Sequence, residues 1–178
     1  MRNGSLGFTL LELMVVIAII GILMAISVPF YRDIINPSRI AAEIELMIGS
    51  LQFAKAEAIK QGLPVTVCAS SNGTTCSTST AWRNGWIVFS DSNANAVVNN
   101  GESLLKVQTA FAGNDTFNAD NNVSAITFNR EGFAIGLPAN PVTIRLRDVT
   151  NTSKWTRCLA INIAGRVVTQ TAGTGNCS

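Results

Sequence analysis

Hydrophobic and polar positions divide the chain into three stretches. From Phe8 to Val28 nearly every residue is Leu, Ile, Val, Met, Ala or Phe, and Glu12 is the only charge. A run of this length, wound as one helix, matches a bilayer core of ~30 Å. From Pro29 to about Gly62 the pattern becomes helical and two-faced. Ile40, Ile44, Met47, Ile48, Leu51, Ala54, Ala58 and Ile59 recur at three- and four-residue steps, while Arg39, Glu43, Ser50, Lys55, Glu57 and Lys60 lie mostly off that stripe. This predicts an amphipathic half-helix with one apolar face laid on a globular domain. Pro29 is expected to kink or open the helix between the two halves, and Pro37 is a second such site, with Ser38 able to cap a fresh start. Gly62-Leu63-Pro64 reads as the stop.

After Pro64 the periodicity shortens. Short β-branched runs at 64–68, 85–89, 104–108, 125–128, 142–146, 158–162 and 166–169 are separated by Asn, Gly, Ser and Asp clusters. Ala164-Gly165 reads as the hairpin turn joining the last two strands. The fold class is α+β, a long N-terminal helix packed on an antiparallel β-sheet domain covering 63–178.

Glu12 does not fit a plain anchor. A carboxylate inside such a run is costly, and marks a functional position. A cleaved secretory signal fits poorly. Arg2 is the only basic side chain ahead of the run, and Ser27-Val28-Pro29-Phe30-Tyr31 stands where a small-residue cleavage site belongs. Gly7-Phe8-Thr9-Leu10-Leu11-Glu12 resembles instead the type III signal of type IV pilins and type II secretion pseudopilins. The resemblance implies a leader at 1–7, a transmembrane helix at 8–28 and the amphipathic half at 29–62. It implies cleavage by a prepilin peptidase between Gly7 and Phe8, and N-methylation of Phe8. It further implies assembly with other pilins or pseudopilins through Phe8, Glu12 and the helix-kinking Pro29. A lone buried carboxylate needs a cation, and the Phe8 amine of a neighbouring subunit could supply one. The site implied is the inner membrane, single-pass, with a periplasmic C-terminal domain that later enters a pilus or pseudopilus.

The 178 residues suffice for one domain plus the anchor, and a formal charge of +2 makes no strong case for a nucleic-acid or membrane-surface protein. The distribution is uneven: from Asn121 onward six bases face only Glu131 and Asp148. Cys68, Cys76, Cys158 and Cys177 all follow the anchor, an even count that suggests disulfides in an oxidising compartment. Local pairs Cys68–Cys76 and Cys158–Cys177 are preferred, since each closes a Gly/Thr-rich segment; sequence alone allows the other connectivities. Zinc is disfavoured, because there is no C-x-x-C spacing and no His.

The β part adds to the resemblance. Gly85-Trp86-Ile87-Val88-Phe89-Ser90-Asp91, Gly101-Glu102, Ile126-Thr127-Phe128-Asn129-Arg130-Glu131-Gly132 and Gly165-Arg166-Val167 follow in the order of the GspH/FimT group of minor pilins and minor pseudopilins. This implies a role in a tip or priming complex, among other minor subunits.

No enzyme is expected. Without His there is no Ser-His or Cys-His pair, and phosphate-loop fingerprints are missing. Two binding readings stay open. Asp91, Asn93, Asn95 and Glu102 match the first, third, fifth and twelfth positions of a calcium loop, but Ala96 replaces the invariant Gly. An Asn-rich hairpin loop is the preferred reading, with no cofactor. The alternative function is a DNA receptor. Arg145, Arg147, Lys154, Arg157 and Arg166 lie on or beside the last strands, and Arg145 and Arg147 share a sheet face. Relatives of this kind use Gly-Arg-x-Arg, which here reads Gly165-Arg166-Val167-Val168 without the second arginine.

Overall fold

The computed structural model describes residues 8–177, with side chains for all of them except 28–34. Helix α1 runs from Leu10 to Gln61. It passes through Pro29 and Pro37 without ending, so Ser38 begins no new helix. It stops at Gly62, which turns left-handed at φ +66° and donates its N–H to the Ala58 carbonyl at 3.0 Å. The chain divides into two compact units at Ser38 and Arg39.

In the first unit, every residue from Phe8 to Ser27 is exposed. Leu10–Ser27 has a mean hydropathy of 2.7 and is long and apolar enough to cross a bilayer core.

In the second unit, Ile40, Ile44, Met47, Leu51, Ala54 and Ala58 form the buried seam of α1. The buried arc is wider than the apolar stripe. Glu43 and Ser50, expected off the stripe, are both buried, whereas Ile59 is exposed. Ser50 meets its polarity locally, donating its hydroxyl to the Leu46 carbonyl at 2.9 Å.

The seam packs on two antiparallel sheets. Sheet A has the order β3-β2-β1-β5-β6, from β1 (Val65–Ala69), β2 (Gly85–Ser90), β3 (Leu104–Thr109), β5 (Ala125–Phe128) and β6 (Ala134–Ile135). Sheet B has the order β4-β7-β8-β9, from β4 (Thr116–Ala119), β7 (Val142–Arg147), β8 (Arg157–Ile161) and β9 (Val167–Thr171). Strands β4 and β6 are additional to those the hydrophobic pattern picks out. Val65, Val67, Trp86 and Val88 of sheet A join Val142, Ile144, Leu146 and Leu159 of sheet B in the main core. Cys68, Ile87 and Phe89, on the other face of sheet A, form a second small core under Cys76 and Val98.

Candidate functional site

The N-terminal site begins at the start of α1. The Thr9 hydroxyl accepts the Glu12 backbone N–H at 3.2 Å, so Thr9 is the helix N-cap and Glu12 lies in the first turn. That turn carries the positive end of the helix dipole, which favours a carboxylate there. Among the described residues Glu12 has no ion-pair partner within the chain. Phe8 is 74% exposed. Gly7 and the Pro29 side chain lie outside the described residues.

The cysteines are joined as Cys68–Cys76 and Cys158–Cys177, and no described cysteine is free. The first bond closes the loop after β1. The second holds the C-terminal segment against β8.

The loop between β2 and β3 folds over the outer face of sheet A. Asp91 is fully buried beneath it. One Asp91 oxygen accepts the Asn95 N–H at 3.0 Å; the other accepts the Ala96 N–H at 2.9 Å and the Thr66 hydroxyl at 2.7 Å. Glu102 accepts the Ser92 and Asn99 amides at 3.0 and 2.8 Å. Asn93 accepts the Asn95 N–H, and Asn95 the Val97 N–H. The four candidate calcium ligands thus act as clamps on the loop's own amides. Ala96, at the calcium loop's glycine position, has φ +57°.

The basic residues fall in three places. Arg145 grips Asp120 through two bonds of 3.2 and 3.0 Å. Arg166 is exposed at the β8–β9 turn, where its N–H bonds the Asn162 side chain. Arg147, Lys154 and Arg157 lie at the other end of sheet B. Arg147 pairs in register with Thr116; Lys154 stands 4.4 Å from the Trp155 ring centre; Arg157 donates to the Lys154 and Thr156 carbonyls.

Two further clusters escape the sequence pattern. At the start of the seam, Arg39 pairs with buried Asp115 at 2.9 Å, and Arg83 donates to the Gly113 carbonyl at 2.6 Å. Burial, and then the Asp115 charge, raise the Glu43 carboxyl to about 7, against the opposing pull of Arg39 and Arg83. Burial likewise raises Asp115, with Asp148 adding and Arg39 subtracting. At the far end of the seam, Lys55 donates to the Ala164 and Gly165 carbonyls at 3.2 and 3.1 Å. Gly165 has φ +65°, and a Cβ there would stand 2.3 Å from the Gly132 carbonyl oxygen. The turn can close on α1 only with glycine in that place.

Comparison with known proteins agrees with this architecture. The family model for type II transport protein GspH matches residues 43–165, and the prokaryotic N-terminal methylation motif matches residues 2–28. The type IV major fimbrial protein FimA of Dichelobacter nodosus is 45% identical over 62 residues, 35% of this chain and 38% of that protein. Fimbrial protein Q of Moraxella bovis is 62% identical over 37 residues, 21% of this chain and 24% of that protein. The chain thus matches these curated relatives over less than two fifths of their length. The crystal structure of the type IV minor pilin FimU of Pseudomonas aeruginosa, strain PAO1, superposes with a TM-score of 0.56. It shares 21% identity and covers 79% of this chain and 92% of that one. The chain belongs to the family of the type II transport protein GspH, and carries the prokaryotic N-terminal methylation motif.

Proposed function

We propose that this chain is a minor subunit that waits in the inner membrane as a single-pass protein with a periplasmic domain. Prepilin peptidase removes 1–7, cutting between Gly7 and Phe8, and Phe8 is methylated. The subunit then enters the tip or priming complex of a type IV pilus or type II secretion pseudopilus, alongside other pilins or pseudopilins. The observation that carries this reading is Glu12. It sits in the first turn of a helix whose side chains from Phe8 to Ser27 are all exposed and nearly all apolar. In hydrocarbon an unpaired charge at the helix centre costs ~2.5–3.5 kcal/mol. A simple anchor would therefore gain from losing it. A subunit whose Glu12 pairs with a neighbour's Phe8 amine would lose, because a buried pair missing one member is destabilised by ~3–5 kcal/mol.

Glu12→Val tests this in cells. The variant is expected to be cleaved after Gly7, as intact mass would show, and to fractionate with the inner membrane. It should be absent from sheared filaments and from crosslinked minor-subunit complexes. Normal incorporation would remove Glu12 from assembly, and an uncleaved or Val28-cleaved N-terminus would remove the processing site.

A further inference from the structure

A sheet edge leaves alternate backbone N–H and C=O groups unpaired, a template for another strand unless something blunts it. Sheet A ends at β3 and β6, and sheet B at β4 and β9. Three of these edges are blunted. β3 carries Lys106 and meets β2 across a register shift between Val88 and Phe89. β4 is covered by the segment before Trp82, where Asn118 bridges Ala81 and the Ala119 N–H bonds the Thr80 carbonyl at 3.1 Å. β6 lies against the β8–β9 turn, where the Ala134 N–H bonds the Ile163 carbonyl at 3.0 Å. β9 has none of these protections. Its residues, Val167-Val168-Thr169-Gln170-Thr171, include no charge and no proline, and they pair with β8 in unbroken register.

The phase of the ladder fixes which groups are left over. The Asn162 N–H donates to the Arg166 carbonyl at 3.2 Å, so the ladder bonds continue through Ala160–Val168 and Cys158–Gln170. The N–H and C=O of Val167 and Thr169, and the N–H of Thr171, therefore point away from β8. The Thr171 carbonyl is already taken by the Thr174 N–H at 3.0 Å. Among the described residues none of these three N–H groups has a partner.

Donors and acceptors alternating at strand spacing match a polypeptide backbone. Phosphates, of a nucleic acid or a lipid, supply acceptors only and leave the Val167 and Thr169 carbonyls unanswered. Charge then selects the kind of polypeptide. Arg166 stands exposed at the head of β9, and its guanidinium has no carboxylate or carbonyl partner among the described residues. A second copy pairing edge to edge brings no acidic side chain there, because 149–178 holds Lys154, Arg157 and Arg166 but no Asp or Glu. Beside the edge, Arg166, Val168 and Gln170 border a shallow hollow of about 350 Å³ with Ala160 in its lining, which leaves room for an incoming side chain.

We propose that the β9 edge takes an extended, acid-bearing segment of another protein as an added antiparallel strand, with a carboxylate opposite Arg166. The contact lies within the domain and is independent of the Glu12 pairing above, so either can fail alone.

The test uses the full chain in detergent micelles and a capped peptide of alternating valine and threonine, with one aspartate at the end that lies against Arg166. Amide hydrogen exchange is followed residue by residue. Exchange is expected to slow at Val167, Thr169 and Thr171, while Val168 and Gln170, already bonded to β8, change little. Asparagine in place of the aspartate should weaken binding about three-fold, the size of an exposed ion pair, and Arg166→Gln should erase that difference. Thr169→Pro removes one outward N–H and leaves the β8 ladder intact. It should weaken binding about ten-fold, with Val168 and Gln170 still protected as proof of folding. No slowing at the outward amides with either peptide overturns the added strand. Equal binding of the two peptides overturns the acidic partner. Slowing that rises with chain concentration in the absence of peptide assigns the edge to a second copy. A DNA duplex that engages Arg166 while the peptide protects none of these amides assigns the arginine to nucleic acid. Either of these last two results also overturns the proposal.

Discussion

Replacing Gly165 by alanine should be among the most damaging small changes in the domain. Its φ of +65° is left-handed, which costs an L-residue about 1–2 kcal/mol. The added Cβ would stand 2.3 Å from the Gly132 carbonyl oxygen, 3.2 Å from Lys55 Nζ and 3.3 Å from the Phe128 ring. A backbone oxygen cannot swing aside as a side chain does, so the turn must lift, and overpacking of this kind adds about 1–3 kcal/mol. Lifting it also weakens the Lys55 bonds to the Ala164 and Gly165 carbonyls. The total, about 2–5 kcal/mol, corresponds to a melting temperature lower by about 5–20 °C for a chain of this size. Thermal unfolding of the full chain in detergent, followed by tryptophan fluorescence, measures it. Gly101→Ala is the control: φ is +91°, but no atom lies within 4 Å of the new Cβ. It should lose only the backbone part, about 1–2 kcal/mol. Equal losses in the two variants would refute the close-approach argument, and an unchanged Gly165→Ala would refute the turn geometry as well.

Other perturbations follow from the buried polar groups. The native Glu43 carboxyl, raised from 4.5 to about 7, keeps its proton where the unfolded chain has lost it, so stability falls as pH rises through that window. Glu43→Gln should match the parent near pH 4, exceed it in melting temperature near pH 8, and keep a residual slope from Asp115. Asp91→Ala should cost about 2–4 kcal/mol, since charged hydrogen bonds to Thr66 and the Asn95 and Ala96 amides are lost, and hydrogen exchange at those amides should rise. Cys158→Ser with Cys177→Ser frees a segment of sequence separation 19 and should cost roughly 3 kcal/mol in urea unfolding.

The apolar run is plain in the sequence because it is continuous, and the seam from Ile40 to Ala58 because its burial has a period. Strand β6 is not, because two residues are too few to show alternation, and β4 is not, because Thr116-Phe117-Asn118-Ala119 ends in two weak strand formers where β5, of equal length, has Ile126, Thr127 and Phe128. Glu43 is hidden for a different reason. Its carboxyl is raised by burial and by Asp115 against the pull of Arg39 and Arg83, and of these charges only Arg39, one turn back on α1, is near it in the sequence. Asp91 carries a pattern that spacing alone reads in two ways. Alternating Asp and Asn oxygens look the same on paper whether they hold a cation or the loop's own amides. The basic residues after Asn121 read as one group along the chain, yet the β8–β9 turn sends Arg166 to the opposite end of the sheet from Lys154 and Arg157.

The seam of α1 is fastened at both ends, by Arg39 to Asp115 and by Lys55 to the β8–β9 turn. A pull along the helix axis would therefore load the contacts from Ile40 to Ala58 in shear, all at once, rather than peel them one by one. Side chains interlocked across such a seam must slide together before any can leave, which resists force far better than sequential opening. A subunit held by its helix and dragged by its domain would thus have to break the two end bonds and slide the whole seam in one step.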